Sequence, residues 1–240
     1  MFVVGIGPGS LEDLSPRARA ALACSDLVVG YQLYLDLLGE VIAGKQTFSS
    51  GMTGEVERTQ HAVEQAANGL TVSVVSSGDA GIYGMASLVM ELAARSQAKV
   101  DIEVVAGISA LNAAAARLGA PLTHDFAVIS LSDLLTPLET ILRRVEAAAA
   151  ADFVIVIYNP KSRQRTKPFE DAVSILRKHR AGATPVGVVR NATRADESVR
   201  ITTLSDMDRE DIDMLTTIIV GNSTTYVYEG RMITPRGYQL

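Results

Sequence analysis

The stretch V-V-G-I-G-P-G-S, Val3 to Ser10, joins a short apolar run directly to three glycines at alternate positions. An apolar strand that ends in glycines is where a dinucleotide-binding fold places its phosphate loop. Here Ser10 occupies the place of the third glycine of that fingerprint, and Pro8 removes a backbone N–H that a phosphate could use. These departures disfavour a pyrophosphate loop. Two interpretations remain, a tight turn or a backbone wall beside a ligand that lacks phosphate.

The same pattern, a β-branched run followed by an Ala/Leu-rich helical segment, continues along the whole chain. Such alternation predicts an α/β fold with mainly parallel, covered sheets. The predicted strands are Val3–Ile6, Leu27–Val29, Thr71–Ser76, Ile102–Val105, Ala127–Ser130, Phe153–Tyr158, Val186–Arg190 and Thr216–Val220. The predicted helices are Pro16–Cys24, Glu55–Asn68, Met85–Arg95, Leu111–Leu118, Leu138–Ala150 and Phe169–His179.

The segment A-R-L-G-A-P-L, Ala116 to Leu122, predicts a domain boundary because Gly119 and Pro121 end a helix there. We therefore expect two α/β domains, residues 1–117 and 118–240. A cleft between two such domains is a common place for a ligand site.

Composition excludes several classes of protein. The single cysteine, Cys24, excludes an internal disulfide and a cysteine-built metal site, and the three histidines are too widely spaced to predict a metal centre. The formal net charge of −5 argues against a nucleic-acid partner. No apolar run reaches the roughly 20 residues of a membrane span. Because M-F-V-V-G at the start lacks the features of a secretion signal, we expect a cytoplasmic protein.

Two more strand-to-helix loops in the first half carry glycine. V-V-S-S-G-D-A-G-I-Y-G-M-A, residues 74–86, has three glycines at a spacing of three, which let backbone approach a ligand closely. Asp79 within it either caps the following helix or accepts hydrogen bonds from a ligand. In V-V-A-G-I-S-A-L-N, residues 104–112, Ser109 stands at a predicted N-cap before a helix of small residues. That helix either packs in the core or completes the same ligand site.

Two loops in the second half combine the end of a predicted strand with basic residues. They are I-V-I-Y-N-P-K-S-R-Q-R-T-K, residues 155–167, and V-V-R-N-A-T-R-A-D-E, residues 188–197. Each is either a solvated turn or a surface that faces a ligand.

Taken together, these loops resemble the tetrapyrrole methylases, S-adenosylmethionine-dependent enzymes of the cobalamin pathway. G-I-G-P-G-S, G-D-A-G-I-Y-G-M-A, G-I-S-A-L-N-A-A-A-A-R-L-G-A-P-L and Y-N-P-K-S-R occur in order over essentially the whole chain. The second and last of these motifs, with I-S-L-S-D-L-L-T-P and V-R-N-A-T-R, are similar to the branch that methylates carbon 17 of precorrin-3B or cobalt-factor III. The resemblance implies a class III methyltransferase with its cofactor in a cleft between two α/β domains, working as a homodimer. It also implies that methylation is coupled to contraction of the tetrapyrrole ring.

The resemblance further implies which residues form the site. The first domain borders the substrate and part of the cofactor, and the second domain closes the cofactor site. Residues implied to bind S-adenosylmethionine, and its product S-adenosylhomocysteine, are Pro8, Gly78, Asp79, Ala80, Ile82, Tyr83, Ser109, Ala110, Tyr158, Asn191 and Ala192. Residues implied to face the substrate are Gly7, Pro8 and Gly9.

Because guanidinium pairs well with carboxylates, basic side chains are candidates to hold the acid groups of the macrocycle: Lys161, Arg163, Arg165, Arg190 and Arg194. Candidates to assist ring contraction are Asp79, Ser109, His124 and Thr193. His124 can equally be a surface or packing histidine.

Other functions stay open at this level. The chain could be a methylase of the same fold that acts on another precorrin, on ribosomal RNA ribose or on a protein side chain. It could also be an NAD-linked oxidoreductase or a non-catalytic ligand carrier. Nothing in the sequence decides whether the tetrapyrrole carries cobalt. Some relatives carry a C-terminal iron–sulfur module, which we expect this chain to lack, and Asp196-Glu197 stands where a Gly-Glu pair is expected.

Overall fold

The structure, a computed structural model, describes residues 1–51 and 53–239. It divides the chain into two compact α/β units, Met1–Ala110 and Leu111–Leu240. The sequence placed the boundary after residue 117, at the end of the helix that begins the second unit. This helix belongs to the second unit because Leu111, Ala114 and Leu118 pack into that unit's apolar core.

The first unit is a five-stranded sheet covered by helices. Its strands are β1 (Phe2–Gly5), β2 (Leu27–Tyr31), β3 (Gln46–Ser50), β4 (Val72–Ser76) and β5 (Glu103–Val105). Its helices are α1 (Pro16–Cys24), α2 (Gln32–Leu38), α3 (Glu55–Ala67) and α4 (Ala86–Ser96), with short 3-10 helices at Leu11–Asp13 and Gly39–Ile42.

This first sheet has the strand order β3-β2-β4-β1-β5, and all its neighbouring strands are parallel, as the sequence predicted. Apolar clusters cover both faces. That burial explains why β2 and β4 read as nearly continuous apolar runs. Ser15 begins α1 as a true cap, since its Oγ accepts a hydrogen bond from the N–H of Ala18 at 3.1 Å.

The second unit contains a five-stranded sheet and a small three-stranded sheet. Its helices are α5 (Ala110–Leu118), α6 (Leu138–Ala150) and α7 (Lys167–His179), with a 3-10 helix at Met207–Arg209. Its strands are β6 (Gly119–Ala120), β7 (Phe126–Ser130), β8 (Val154–Tyr158), β9 (Pro185–Arg190), β10 (Ser198–Thr203), β11 (Thr216–Val220), β12 (Tyr226–Tyr228) and β13 (Arg231–Ile233).

The prediction of mainly parallel strands is wrong for this larger sheet, whose order is β10-β9-β11-β8-β7. Only β7 and β8 are parallel, while β8–β11, β11–β9 and β9–β10 are antiparallel. A parallel connection needs a crossover of about a dozen residues or more, usually a helix. Helices α6 and α7 supply such crossovers for β7, β8 and β9, which all run in one direction. Strand β10 follows β9 through a loop without a helix and reverses direction, and β11 keeps the direction of β10 while it pairs between β8 and β9.

Every predicted strand and helix is present, within two residues at each end. The sequence missed α2, β3, β10 and the three short strands β6, β12 and β13. Strands β3 and β10 lie at sheet edges. Strand β3, Q-T-F-S-S, has a single apolar residue, and β10, S-V-R-I-T-T, has two that alternate with polar ones, so neither presents the apolar run by which the other strands were recognised. Among the described residues, no helix has the length and apolar character needed to cross a bilayer.

Candidate functional site

In the first unit, three loops leave the same edge of the sheet. Strands β4, β1 and β5 are parallel neighbours, so the loops that follow their carboxyl ends lie side by side. The N–H of Ile6 donates to the carbonyl of Ser76 at 2.9 Å. Gly7 and Gly78 then exchange two backbone hydrogen bonds, at 3.1 and 2.7 Å. The first two glycine loops of the sequence are thus joined through their backbones.

Glycines let the three loops pack backbone against backbone. A Cβ atom on Gly5 would lie 2.7 Å from the nitrogen of Gly107, and one on Gly107 would lie 2.2 Å from the carbonyl oxygen of Gly78. Gly7 has a φ of +79°, which favours glycine. The tight-turn interpretation of the opening stretch therefore accounts for Gly5 and Gly7 without any phosphate.

Asp79 ties the second loop to the third. Its Oδ1 accepts a hydrogen bond from the N–H of Gly81 at 2.8 Å, and its Oδ2 accepts one from the N–H of Gly107 at 3.0 Å. It does not cap the following helix, which begins only at Ala86. The hydroxyl of Ser76 serves that turn instead, accepting from the N–H of Met85 at 3.1 Å. Asp79 is therefore a bridge between loops, a role that the sequence did not suggest.

The other cofactor residues expected in the first unit surround this bridge. Gly78 lies against Ser109 and Ala110, since a Cβ on Gly78 would be 3.7 Å from the Cα of Ser109 and 3.5 Å from the nitrogen of Ala110. Ala80 and Ser109 are buried, whereas Ile82 and Tyr83 are exposed. Tyr83 has a φ of +52°, a conformation rare for a residue with a side chain. Gly78, Ala80 and Ser109 thus form a buried surface of small residues, which we call the floor, and the side chains of Ile82 and Tyr83 are exposed near it in the sequence.

In the second unit, the remaining expected cofactor residues gather at one edge of the larger sheet. The carboxyl ends of β7, β8 and β9 meet there with the amino end of β11. Tyr158 ends β8, and its hydroxyl accepts a hydrogen bond from the N–H of Leu111 at 2.8 Å, in the first turn of α5. Asn191 and Ala192 directly follow β9 and are buried.

Asn191 is the buried polar residue of this edge with an unmatched acceptor. Its side chain is 4% exposed, its Nδ2 donates to Asp196 Oδ2 at 2.6 Å, and its backbone N–H donates to the carbonyl of Leu215. Because a carboxylate can only accept, the amide nitrogen must face Asp196. The Oδ1 of Asn191 finds no partner within the described chain. A buried acceptor in this state calls for a donor from outside the protein or from water.

The loop after β9 is held by charges that sequence reasoning did not assign. Glu197 Oε2 accepts from the N–H of Thr193 at 2.6 Å and from Arg117 Nε at 2.8 Å. Thr193 has a φ of +65°, which is strained for a β-branched residue. Asp196 and Glu197, where a Gly-Glu pair was expected, therefore both fix this loop. No local pattern marked them, because their partners lie in other parts of the chain.

The basic residues expected to grip substrate are not equivalent. Arg165 donates to the carbonyls of Leu131 at 2.5 Å and Asn159 at 2.9 Å, so its guanidinium holds two loops together. Arg190 is paired with Asp213, with Nε 2.8 Å from Oδ2. The other three basic residues have different surroundings. The Lys161 ammonium lies 5.2 Å from the ring centre of Phe169. Arg194 lies in the loop after β9, and Arg163 is exposed.

His124 lies away from the expected site residues of the second unit. It precedes β7 and is therefore at the amino end of that strand, where its Nδ1 accepts a hydrogen bond from the N–H of Asp125 at 2.8 Å. Tyr158, Asn191 and Thr193 all lie at or beyond the opposite edge of the same sheet. Within the second unit the structure thus separates His124 from Thr193, the other candidate of this unit for assisting ring contraction.

Two carboxylates near the carboxyl end of β9, those of Glu197 and Asp213, have lowered pKa values. Burial raises the pKa of Glu197, but hydrogen bonds from the Thr193 N–H and Arg117 outweigh it and hold the pKa below the ordinary value of 4.5. Burial likewise raises the pKa of Asp213, and hydrogen bonds from Arg190 and the Leu215 N–H bring it below 3.8. Both groups favour the folded loop only while they are ionised.

We expect acid to loosen this loop. A carboxylate with a lowered folded pKa contributes its full stability above the unfolded pKa and loses it as the pH falls through the folded pKa. The free energy of unfolding should therefore decrease from about pH 5 to about pH 3, and Glu197→Gln should make this decrease shallower by up to about 1 kcal/mol. Urea unfolding at several pH values measures the effect. Glu91→Gln on α4 is the control, and an equal slope in both variants would contradict the prediction.

Comparison with known proteins identifies the family of the chain. The family model described as Tetrapyrrole (Corrin/Porphyrin) Methylases matches residues 1–208. The chain is 51% identical to the cobalt-factor III methyltransferase of Priestia megaterium, covering 100% of this chain but only 45% of that protein. It is 50% identical to the probable cobalt-factor III C(17)-methyltransferase of Salmonella typhimurium, with 100% of both chains covered.

Solved structures give the same picture of the fold. The methyltransferase CobJ matches with a TM-score of 0.92 at 36% identity, covering 98% of each chain. The uroporphyrin-III C-methyl transferase of Thermus thermophilus, solved with S-adenosyl homocysteine, matches with a TM-score of 0.68 at 20% identity, covering 92% of this chain and 96% of that one. At that identity the second likeness concerns the fold alone.

Proposed function

The chain belongs to the tetrapyrrole (corrin/porphyrin) methylases, and on this premise we propose that it methylates carbon 17 of cobalt-factor III in cobalamin biosynthesis. The methyl donor in this proposal is S-adenosylmethionine, and ring contraction accompanies the transfer. The support is the 50–51% identity to proteins named for cobalt-factor III, one of which the chain matches over its whole length. Those names favour the cobalt-bearing substrate. We further propose that the protein is a homodimer in the cytoplasm. Sedimentation velocity should show two subunits.

One observation in the structure is compatible with S-adenosylmethionine as the ligand. The buried Oδ1 of Asn191 lacks a hydrogen-bond donor among the described residues, and the cofactor offers amino and hydroxyl groups as donors. The cofactor has no phosphate, so its site needs close backbone and a few polar anchors and does not need a phosphate-binding loop. The floor formed by Gly78, Ala80 and Ser109 is of that kind.

We assign the two units different parts of the cofactor. In the first unit, Gly78, Asp79 and Ala80 hold its amino-acid portion, beside Pro8, Ile82 and Tyr83, while Ser109 and Ala110 form another wall. In the second unit, Tyr158, Asn191 and Ala192 hold its adenosine. The paired backbones of Gly7 and Gly78 and the bridge made by Asp79 support this assignment, because they keep the floor in one conformation.

The protein's contribution to methyl transfer is mainly orientation. The bound cofactor supplies a methyl group on a positively charged sulfur, which keeps the electron pair of the broken bond while carbon 17 provides the pair for the new one. No protein nucleophile is required, so the rate depends on holding the two reacting atoms in line. Such positioning is worth roughly 7–11 kcal/mol of a barrier in favourable cases. Loops packed without free volume, as at Gly5 and Gly107, suit this task.

Ring contraction asks for a group that polarises an oxygen of the substrate. Among the candidates, Thr193 in the second unit has a strained backbone and lies next to the buried Asn191–Ala192 pair. Strain of this kind concentrates at functional sites. We therefore retain Thr193 and Ser109 as candidates, assign Asp79 to positioning, and do not carry His124 forward.

Of the basic residues, Arg163 and Arg194 are retained for the substrate's acid groups.

Two measurements test the proposed function. Calorimetric titration should show binding of S-adenosylhomocysteine and no binding of NADH, which separates a methylase from an oxidoreductase. Incubation with cobalt-factor III and methyl-labelled S-adenosylmethionine should then give a ring-contracted product that contains one labelled methyl group, detected by mass spectrometry. Label that appears only in RNA or protein would overturn the proposal. Binding of S-adenosylhomocysteine and cobalt-factor III without any product would favour a non-catalytic ligand carrier.

Asn191→Ala should weaken S-adenosylhomocysteine binding by about 10- to 100-fold. The substitution removes the unmatched acceptor that we assign to the cofactor, and a hydrogen bond to a buried partner is worth about 1–3 kcal/mol when one side is deleted. Calorimetry on the purified variant measures the affinity. Asn68→Ala, at the exposed end of α3, is the matched control and should bind like the wild type. Unchanged affinity in Asn191→Ala would exclude this residue from the cofactor site.

A further inference from the structure

The loop after β7 exposes two adjacent leucines. Leu134 is 81% exposed and Leu135 is 98% exposed, more than any other large apolar side chain of the described residues. They stand in L-S-D-L-L-T-P, residues 131–137, which we call the leucine loop. Single exposed apolar residues are ordinary, but an adjacent pair left in water forgoes the stabilisation that burial would supply.

The base of the leucine loop is firmly held. Leu131 is fully buried, and its N–H donates to the carbonyl of Tyr158 at 2.9 Å. Arg165 donates to the carbonyl of Leu131 at 2.5 Å and lies 3.8 Å from the carboxylate of Asp133. The N–H of Ser132 donates to Ser130 Oγ at 3.2 Å. The exposed tip therefore stands on an ordered base and is presented to the surroundings.

The position of the tip indicates what it meets. Strands β7 and β8 are parallel neighbours, so the leucine loop and the loop after β8 leave the sheet at the same edge, and Arg165 joins them through the carbonyls of Leu131 and Asn159. The loop after β8 carries Lys161 and Arg163. An apolar tip is thus accompanied by cationic side chains in the adjacent loop.

We propose that Leu134 and Leu135 pack on a face of the tetrapyrrole macrocycle while Arg163 pairs with one of its carboxylates. This inference rests on the proposed function and adds a substrate-recognition element to it. A flat macrocycle with an acidic rim offers an apolar face and negative charge together, which matches the leucine pair and the neighbouring cations. A second copy of this chain is the other candidate occupant, and sedimentation velocity distinguishes it from the macrocycle.

The test uses the full chain saturated with S-adenosylhomocysteine and titrated with cobalt-factor III, followed by absorbance. The double variant Leu134→Ser/Leu135→Ser should raise the Kd of the tetrapyrrole about 10- to 100-fold and leave the affinity for S-adenosylhomocysteine and the Tm unchanged. Leu134→Met/Leu135→Met keeps the apolar area and should bind like the wild type. Val227→Ser, an exposed apolar residue in β12, is the matched control.

The outcomes separate the two proposals. If the wild type binds cobalt-factor III and the double serine variant binds it equally well, the leucine inference is overturned while the proposed function stands. If the serine variant changes only the sedimentation coefficient, the loop is an interface between copies and the inference is likewise overturned. If the wild type binds neither ligand, the proposed function itself has failed. Weakened tetrapyrrole binding, restored by methionine, supports the inference.

Discussion

Replacing Gly107 with alanine should abolish measurable binding of S-adenosylhomocysteine and destabilise the first unit. A Cβ atom at this position would lie 2.2 Å from the carbonyl oxygen of Gly78 and 2.6 Å from the carbonyl carbon of Gly5. Both are backbone atoms, so no flexible side chain can move aside. The loops must separate, and overpacking of this kind costs about 1–3 kcal/mol or more.

The consequence extends to the cofactor site because Gly107 is also a donor to Asp79. If the third loop moves outward, the hydrogen bond from the Gly107 N–H to Asp79 Oδ2 is lost, and the floor at Gly78 opens. Two effects of one substitution therefore coincide, a lower Tm and a lost ligand. A free-energy loss of this size lowers the Tm by about 5 °C in a protein of this length.

Gly51→Ala is the matched control for this experiment. An added Cβ atom at Gly51 meets no atom of the described residues within 4 Å, and Gly51 lies in the same unit. The control should bind S-adenosylhomocysteine and unfold like the wild type. Full binding by Gly107→Ala would show that the close packing of the three loops is not needed to form the cofactor site.

The strand-to-glycine junctions were predictable because each repeats a local pattern. An apolar run that ends in glycine marks the carboxyl end of a buried strand, and parallel strands bring such ends to one edge. The sequence offered a shared edge for the glycine loops as one of two interpretations, and the loops at Gly7, Gly78 and Gly107 do meet in the structure. It did not predict that Asp79 would join two of them, since that requires knowing which backbone N–H approaches from another loop.

The basic run K-S-R-Q-R-T-K shows the same limit in the second unit. Its cations look alike in sequence, yet Arg165 is turned inward by two carbonyls while Arg163 is exposed. The difference arises from the parallel pairing of β7 with β8, which places the carbonyl of Leu131 next to the loop. Side-chain direction in a loop is thus set by tertiary contacts that no short motif encodes.

The sheet of the second unit was mispredicted for a related reason. The apolar pattern identifies β8, β9 and β11 as buried strands but carries no information on their direction. Direction follows from the connections, and the largely polar edge strand β10 was not recognised. Consequently the position of Asn191 beside Asp196, in the turn between β9 and β10, could not be foreseen from the sequence.

Asp79→Asn should weaken S-adenosylhomocysteine binding about 10- to 100-fold and lower the Tm, although the two side chains have the same shape. The two carboxylate oxygens accept hydrogen bonds from Gly81 and Gly107, and both donors are fixed backbone N–H groups. An amide offers one oxygen and one NH₂ group, so one backbone N–H would face another donor. Leaving a partly buried N–H unsatisfied costs about 1–3 kcal/mol, which corresponds to the expected loss of affinity.

The same variant distinguishes positioning from proton transfer. If Asp79 removed a proton from the substrate, Asp79→Asn would stop turnover and leave both the Tm and the affinity for S-adenosylhomocysteine at wild-type values. If Asp79 holds the loops, the affinity and the Tm fall together, and turnover at saturating cofactor is the smaller loss. Calorimetry, thermal unfolding and single-turnover kinetics on one preparation measure all three quantities. Glu91→Gln, an exposed carboxyl-to-amide change on α4, is expected to leave each of them unchanged, so a loss confined to turnover in Asp79→Asn would refute the positioning role.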